Sequence, residues 1–291
     1  MTDDLFVTHR GLLFTVAYEM LGSAADAEDV LQDSWLRWNQ VDRSEVRDPR
    51  AYLVRIVTRQ SLNHLRTSAR RRESYVGEWL PEPLLTSPDV ADDVELAESV
   101  SIAMLTVLET LGPTERAVFV LREVFDVPYD EISEAVDKSP AAVRQIAHRA
   151  KEHVTARRPR VAVDRAEQEA VVAKFLAAAN SGDLQGLMDV LAPDVVSVAD
   201  GGGLVRGAAP RPIHGADKIA RYLIGGLAKL GLPFEGKPTW VNGHPAVRGE
   251  IGGELAGTIS FEIEGGRITR IFSVANPQKL GRLDVAAQLV R

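Results

Sequence analysis

Side chains that can contact nucleic acid are concentrated in one segment near the middle of the chain. Residues 129–136 and 140–155 have the apolar spacing of two short helices, and Asp137-Lys138-Ser139-Pro140 between them has the composition of a tight turn. Ser139 can cap the second helix, and Pro140 suits its first position because no backbone donor is needed there. The outward face of that helix can reach base edges and phosphates. We assign this role to Ser139, Ala141, Arg144, Gln145, His148, Arg149 and Lys151.

The pattern of a short helix, a turn and a basic helix is typical of a helix-turn-helix that docks in the DNA major groove. An ordinary helical hairpin with a solvated charged face is the alternative. A second basic run, RTSARRR at 66–72, ends a long predicted helix that starts after Asp48-Pro49. By itself such a run is as often a solvated face. Two basic helical units in one chain, however, indicate two contacts with one long ligand.

The last third of the chain carries side chains that could transfer protons. The candidates by residue type are Asp194, Asp200, His214, Trp240, His244 and Glu262. No pairing among them has a spacing that indicates an active site, so we assign no catalytic residue. The string VADGGGLVR at 198–206 could also be a phosphate-binding loop, but such a loop requires a helix directly after its glycines. Because AAPRP at 208–212 intervenes, we predict a flexible contact loop that follows a strand.

Composition excludes several classes of function. The chain has 291 residues, a net charge of −7 and no cysteine, so disulfides, thiolate zinc sites and thiol catalysis are excluded. No G-x-x-x-x-G-K-[ST] string is present. The N-terminus is acidic and lacks an apolar run of signal-peptide or membrane-spanning length, so we expect a soluble, cytoplasmic protein without a membrane partner. Any nucleic-acid surface must be local, because the chain as a whole is acidic.

The charge pattern predicts four segments. Residues 74–114 contain no lysine or arginine, and their first part combines acids with Pro81, Pro83 and Pro88, which favours an extended, solvated linker. A second boundary follows at RRPR, residues 157–160. We therefore predict a helical domain over 1–75, an acidic linker over 76–97, a helix-turn-helix domain over 98–158 and a further domain over 159–291.

The last segment has the pattern of an α+β domain. Helices are predicted at 164–180, 183–191 and 215–230. Strands of an antiparallel sheet are predicted at 238–242, 246–251, 255–263 and 267–275. Asn242-Gly243 and Gly265-Gly266 have the composition of hairpin turns between these strands.

Three strings resemble regions of bacterial sigma factors. DAEDVLQDSWLRW at 26–38 is similar to the part of region 2 that grips the polymerase clamp. AYLVRIVTRQSLNHLRTSARRR at 51–72 resembles the part that melts and reads the −10 element, with Arg59 and Asn63 where the group often has Asn and Asp. The string at 111–154 resembles region 4, which reads the −35 element. The small size and the absence of a region 3 domain resemble the extracytoplasmic-function (ECF) group.

The resemblance implies partners and site residues. The partners would be core RNA polymerase, through its β′ clamp and β flap, and promoter DNA, without a cofactor or a metal. The implied polymerase-binding residues are Asp26, Asp29, Gln32, Asp33 and Leu36. The implied −10 contacts are Arg59, Asn63, His64, Arg66, Arg70, Arg71 and Arg72.

Three further strings are WLPEP at 79–83, DGGG at 200–203 and NPQKL at 276–280. Together they resemble a subgroup, the sigma-J type, in which a SnoaL-like domain is fused to the sigma domains. The implied fold is multidomain: two all-α sigma domains and a C-terminal, cone-shaped α+β SnoaL/NTF2-like domain. In this subgroup the fused domain is thought to regulate in cis and to replace a separate anti-sigma factor. The implied regulatory contacts are Trp79, Leu80, Pro81, Glu82, Pro83, Asp200, Gly201, Gly202, Gly203, Asn276, Pro277, Lys279 and Leu280.

Two alternatives remain for the C-terminal domain. It could be a small-molecule sensor or an isomerase- or cyclase-like enzyme fused to a DNA-binding module, because cone-shaped domains serve both purposes. It could also pack passively against the sigma domains. Leu204 replaces the lysine that usually follows the glycines in the subgroup, so a charge at that position is absent here.

Overall fold

The computed structural model describes residues 5–157, 164–229 and 234–291, without the side chains of 68–73 and 227–228. Its first half is helical. The helices are α1 Leu5–Thr8, α2 Arg10–Leu21, α3 Ala24–Trp38, α4 Pro49–Glu73, α5 Val94–Val100, α6 Ile102–Leu108, α7 Pro113–Phe119, α8 Tyr129–Val136 and α9 Pro140–Thr155. Within this described part, no helix combines the length and apolar character needed to cross a bilayer.

Helix α2 is the centre of the helical half. Leu12, Leu13 and Tyr18 lie on different sides of this helix, and all are buried. A helix that is apolar on every side must be covered on every side. Helices α3 and α4 cover part of it, and α7 covers another part. Helix α2 ends before Gly22, because this glycine adopts the left-handed conformation with φ of 68°.

The C-terminal half has the predicted α+β composition. Its helices are α10 Arg165–Ser181, α11 Leu184–Val190 and α12 Ala216–Lys229. Its strands are β1 Leu191–Asp200, β2 Ile213–His214, β3 Phe234–Val241, β4 His244–Ile251, β5 Glu254–Glu264 and β6 Arg267–Val274. Both predicted hairpin turns are confirmed: Asn242 and Gly243 have φ of 54° and 76°, and Gly265 and Gly266 have φ of 54° and 72°.

The sheet is mixed, so the prediction of a purely antiparallel sheet is wrong. The strand order is β2-β1-β6-β5-β4-β3, and β1 runs parallel to β6. The predicted strands are those joined by tight hairpins, which must be antiparallel. Strand β1 reaches β6 only after β2, α12 and three further strands, and turn composition does not report such a distant pairing.

Both faces of the sheet are covered. On one face, Phe175 of α10, Leu187 of α11 and Ile219 of α12 pack against strand residues such as Ile271. On the other face, Leu80 of the linker, Ile102 of α6 and Leu283 of the C-terminal tail pack against Phe272 and Val274. The linker and helix α6 therefore complete the core of the C-terminal domain.

The linker is not the solvated tether that its prolines and acids predict. Pro81, Glu82, Pro83 and Leu84 are all buried, and α5 begins at Val94, inside the predicted linker range. Leu80 and Leu85 on either side of these prolines pack against the sheet, and the Glu82 carboxylate accepts hydrogen bonds from the first domain. Composition alone assigns such residues to solvent because it does not show their partners.

A buried ionic cluster joins the two helical domains. The Arg116 guanidinium on α7 donates to the backbone oxygen of Glu19 at 2.8 Å and to Glu109 at 2.6 Å. The Ser99 hydroxyl donates to the Glu19 carboxyl at 2.7 Å. Burial raises the pKa of Glu19 to about 8, and burial also lowers the pKa of Arg116 to about 9.

The raised pKa of Glu19 makes the stability of the protein depend on pH. Between about pH 5 and pH 8, the folded state holds a proton that the unfolded chain has lost. The free energy of unfolding should therefore fall as the pH rises through this range, by up to ~1.4 kcal/mol per pH unit. The check is urea unfolding at four pH values for the wild type and for Glu19→Gln, which mimics the protonated carboxyl.

The Glu19→Gln variant should show a smaller pH slope than the wild type. The control is Glu254→Gln, because Glu254 is exposed on β5 and should leave the slope unchanged. Equal slopes in the wild type and in Glu19→Gln would contradict the assignment of this titration to Glu19.

Candidate functional site

Helices α8 and α9 form the predicted helix-turn-helix. Helix α8 ends at Asp137, which adopts the left-handed conformation with φ of 55°. The Ser139 hydroxyl then caps α9 by accepting from the Ala142 backbone N–H at 3.3 Å. Val143, Ala147 and other members of the predicted apolar stripe are buried against α8 and α7. The turn and the stripe together turn the polar face of α9 outward.

All the residues assigned to −35 contacts lie on that exposed face. They are Ser139, Ala141, Arg144, Gln145, His148, Arg149 and Lys151. The Arg144 guanidinium lies 5.5 Å from the ring centroid of Tyr129 on α8, and Lys151 lies 2.7 Å from the Glu123 carboxylate. The face is therefore basic and accessible, and one of its arginines is oriented by an aromatic ring.

The residues assigned to −10 contacts divide into several groups along α4. Asn63 and Arg66 are exposed and contact each other, with 3.4 Å between Oδ1 and Nη1. His64 is instead largely buried, and its Nε2 lies 3.2 Å from Asp26 Oδ1 on α3. The side chains of Arg70, Arg71 and Arg72 lie outside the described residues.

Arg59 connects α4 to the helix-turn-helix. Its guanidinium donates to the backbone oxygen of Glu134 on α8 at 2.6 Å. One turn earlier on α4, Arg55 forms an ion pair with the Glu134 carboxylate. The helix assigned to the −10 element therefore contacts the domain assigned to the −35 element.

The residues assigned to polymerase binding lie on α3. Asp29, Gln32, Asp33 and Leu36 are exposed on this helix. Asp26 is partly buried beside His64. Sequence reasoning missed Trp35, whose indole is 42% exposed beside Leu36, at 49%. Exposed apolar side chains next to acidic ones are typical of a protein-binding surface.

The three strings assigned to regulatory contacts meet around Asp200. This carboxylate is fully buried at the end of β1. Its Oδ2 accepts from the Leu80 backbone N–H at 2.9 Å and from Lys279 Nζ at 2.7 Å. Its Oδ1 accepts from the Tyr75 hydroxyl and from the Gly202 N–H at 3.1 Å. We call Tyr75, Trp79, Leu80, Asp200, Asn276 and Lys279 the Asp200 cluster.

Lys279 is the cation of the Asp200 cluster. Its ammonium lies 3.2 Å from the ring centroid of Trp79 and 5.1 Å from that of Tyr75, and it also donates to the backbone oxygen of Leu80. A buried ammonium requires such a combination of an anion, π faces and a carbonyl. Asp200 and Lys279 of the C-terminal domain therefore hold Trp79 and Leu80 of the linker by hydrogen bonds and a cation–π contact.

The glycines after Asp200 allow close approach. Gly202 has φ of 59°, and a Cβ there would lie 2.5 Å from the amide of Asn276. Asn276 in turn donates to the Tyr75 hydroxyl at 2.8 Å. The loop is thus fixed at its start, where Asp200 and Gly201 are buried, and exposed from Gly203 onward. The prediction of a flexible loop is wrong for its first two residues.

Glu82 attaches the linker to the first domain. Its carboxylate accepts from the Ala24 and Ala25 N–H groups at 2.8 and 3.1 Å and from the Ser23 hydroxyl at 3.1 Å. These groups form the N-terminus of α3, where the helix dipole favours an anion. The Tyr18 hydroxyl also donates to the backbone oxygen of Glu82 at 2.7 Å.

Asn242 joins the three parts of the chain, and sequence reasoning missed this role. Its side-chain N–H groups donate to the Tyr18 hydroxyl and to the Val100 carbonyl, both at 2.7 Å, and its Oδ1 accepts from the Leu84 N–H at 2.9 Å. The only signal in the sequence was the Asn-Gly turn, which explains the backbone of Asn242 but not its side chain.

The side chains proposed for proton transfer do not form one site. Asp194 and His214 are exposed near β2, and Asp200 is held by the linker. Trp240, His244 and Glu262 line a cavity between the two halves of the chain. Within the described residues, no group of His, Asp and Glu is arranged to hold a metal ion.

Comparisons with known proteins agree with this arrangement. Residues 5–71 match the model of Sigma-70 region 2, and residues 101–154 match that of Sigma-70 region 4. The ECF RNA polymerase sigma factor SigJ of Mycobacterium tuberculosis is 37% identical, over 94% of this chain and 91% of that protein. The probable ECF sigma factor SigI of the same organism is 32% identical, over 94% and 93%.

The crystal structure of M. tuberculosis SigJ superposes with a TM-score of 0.77 and 33% identity, covering 95% of this chain and 97% of that one. The α+β domain after region 4 is included in this match. The chain therefore belongs to the ECF sigma factors, which bind core RNA polymerase and promoter DNA, and it carries a C-terminal SnoaL/NTF2-like domain.

Proposed function

We propose that the C-terminal domain holds this sigma factor in a closed state that cannot engage a promoter, and that release of the linker opens it. The contact of Arg59 with Glu134 is the observation that carries this proposal. It joins a residue assigned to −10 recognition with the domain assigned to −35 recognition.

Promoter geometry requires the two domains to separate. Elements centred about 25 base pairs apart lie ~85 Å apart along B-DNA, at 3.4 Å per base pair. Domains whose side chains hydrogen-bond to each other cannot contact both elements at once. The linker, residues 76–97, could span roughly 70 Å if extended at 3.3 Å per residue. An extended linker therefore covers most of this separation and the width of the two domains covers the rest, so the bound conformation of the linker is the restraint.

The C-terminal domain supplies that restraint from several directions. The Asp200 carboxylate accepts from the Leu80 N–H, and the Asn242 side chain accepts from the Leu84 N–H in the same linker. The C-terminal tail adds a contact with the first domain, where the Val290 N–H donates to the Thr15 hydroxyl at 3.0 Å and Leu289 is buried. These contacts support a regulatory role in cis rather than passive packing on one sigma domain.

In the open state, the exposed faces would take the roles that the family resemblance implies. The polar face of α9 would bind the −35 element, and the α4 residues would bind the −10 element after Arg59 leaves Glu134. The exposed face of α3 would bind the β′ clamp, and region 4 would bind the β flap. Such a protein acts where RNA polymerase acts, in the cytoplasm.

We also infer that the C-terminal domain regulates without catalysing a reaction. Sigma-factor relatives supply the family context. The dispersed positions of Asp194, Asp200 and His214, and the engagement of Asp200 by Lys279, support the inference. The alternative role of the domain, as a small-molecule sensor, would involve the cavity beside Trp240.

The assignment of α9 can be tested by promoter selection with core polymerase and this protein. Arg144→Ala and Gln145→Ala should each cost ~1–3 kcal/mol in promoter binding and relax the preference at one −35 position. Lys151→Ala should weaken binding to all sequences and lower the salt dependence. Arg221→Ala on α12 is the control, because this arginine is exposed outside the sigma domains. An unchanged −35 preference in all variants would contradict the assignment.

The closed state can be tested by energy transfer, because the chain has no cysteine of its own. Cysteines introduced at the exposed positions Gln40 and Thr155 would label regions 2 and 4. The labels should be close in the free protein and should separate when core polymerase and promoter bind. Lys279→Met leaves Asp200 without its cation, which costs ~3–5 kcal/mol for a buried pair, so it should shift the free protein toward the separated state.

Lys279→Met should also raise promoter-dependent transcription in a reconstituted assay. Trp79→Ala tests the same cluster from the linker side. Lys237→Met is the matched control, because Lys237 pairs with Glu250 on the surface of β3 and β4. An equal label separation in the free protein and in the promoter complex would refute the closed state.

A further inference from the structure

A cavity of about 200 Å³ lies between the sigma half and the C-terminal domain. Helices α5 and α6 form one wall, and the start of α10 and strands β3 to β5 form the others. Its surface is mainly apolar, with contributions from Val94, Ala97, Ile102, Met104, Trp240 and Phe261. A concave, mainly apolar space with a few polar groups is the usual form of a small-molecule site.

Most polar groups of the cavity wall already have partners. The ring nitrogens of His244 lie 3.1 Å from the Ala97 carbonyl oxygen and 3.2 Å from the Gln168 Oε1. Burial lowers the pKa of His244, so its ring is uncharged at neutral pH. The Arg165 guanidinium stacks on Trp240, at 4.6 Å from the ring centroid, and pairs with Asp92 at 3.2 Å.

Glu262 is different. Its side chain is only 10% exposed, and among the described residues its Oε2 accepts no hydrogen bond. The nearest cation, Arg270 Nε on the neighbouring strand, is 3.5 Å away. Burial raises the pKa of this carboxyl. A buried acceptor without a donor is costly, and a ligand that supplies the donor removes that cost.

We propose that this cavity binds a small, uncharged aromatic molecule with one N–H or O–H donor, which donates to Glu262 Oε2. The aromatic walls accommodate a flat ring, and the donor satisfies the carboxylate. A neutral ligand fits better than an acid, because Glu98 and Glu262 both line the cavity. His244 and Arg165 already have hydrogen-bond or ion-pair partners, so they would line the cavity without bonding to the ligand.

The ligand would act on the same equilibrium as the C-terminal domain, so this part of the inference rests on the proposed function. Residues of α5 and α6 complete the cavity only while the two halves of the chain are packed together. A molecule that binds this state and not the open one stabilises the closed state. The ligand would therefore act together with the C-terminal domain to keep the sigma factor closed.

The probe pair is indole and 1-methylindole, which have similar shapes and differ in the N–H donor. Titration calorimetry on the full chain should show indole binding about tenfold more tightly, as expected for one hydrogen bond to a charged group. In Glu262→Met this ratio should fall to about one, because the acceptor is removed. Glu254→Met is the control on the same strand, where the carboxylate is exposed and the ratio should remain.

Equal affinity of the two probes for the wild type would overturn the proposed ligand site, and so would no binding of either probe. Both results are measured on the wild-type protein, so they do not depend on whether a variant folds. An unchanged ratio in Glu262→Met would also overturn it. Indole should further reduce label separation in the Gln40 and Thr155 energy-transfer pair at subsaturating core polymerase, and no effect would overturn the coupling. A wrong closed-state proposal would give a different result: the two labels would already be far apart in the free protein without any probe.

Discussion

The closed arrangement depends on the burial of one carboxylate, Asp200, at the place where a strand of the C-terminal domain meets the linker. A buried carboxylate must be neutralised and hydrogen-bonded, or it destabilises the fold. Lys279 supplies the charge, the Leu80 N–H donates from the linker, and the Tyr75 hydroxyl donates from the residue directly before the linker. Because Leu80 lies in the linker and Tyr75 directly before it, the carboxylate keeps all of these protein partners only when the linker is in place. The stability of the C-terminal domain interior therefore depends on the position of the linker.

The linker then transmits this restraint to the sigma domains. Its Glu82 binds the N-terminus of α3, and its Leu84 N–H binds Asn242, whose side chain also reaches Tyr18 on α2 and Val100 on α5. Each of these contacts satisfies a group that would otherwise be buried without a partner. Regions 2 and 4 are in this way held against the same domain, and the contact between Arg59 and Glu134 follows from that shared attachment.

Much of this protein could be predicted from local sequence patterns. The helix-turn-helix followed from a capping serine, a proline at the first helical position and one apolar stripe, all within about 25 residues. The hairpins followed from Asn-Gly and Gly-Gly. The buried linker could not be predicted this way, because the donors to Glu82 lie near residue 24 and the partner of Leu80 lies at residue 200. The parallel pairing of β1 with β6 was missed for the same reason. Long-range partners decided the outcome, and a single sequence does not display them.

The chemistry of the interface also explains how a stable arrangement can be reversible. The contacts that bind the linker at Asp200, Glu82 and Asn242 are hydrogen bonds, and water can replace such partners once the linker leaves. Apolar contacts such as Leu80 on the sheet favour the closed state, but a released Leu80 would add little exposed area to a chain of this size. In the proposed mechanism, core RNA polymerase shifts the equilibrium by competing for the sigma domains. A restraint made of satisfied polar groups therefore gives specificity to the closed state without making it permanent.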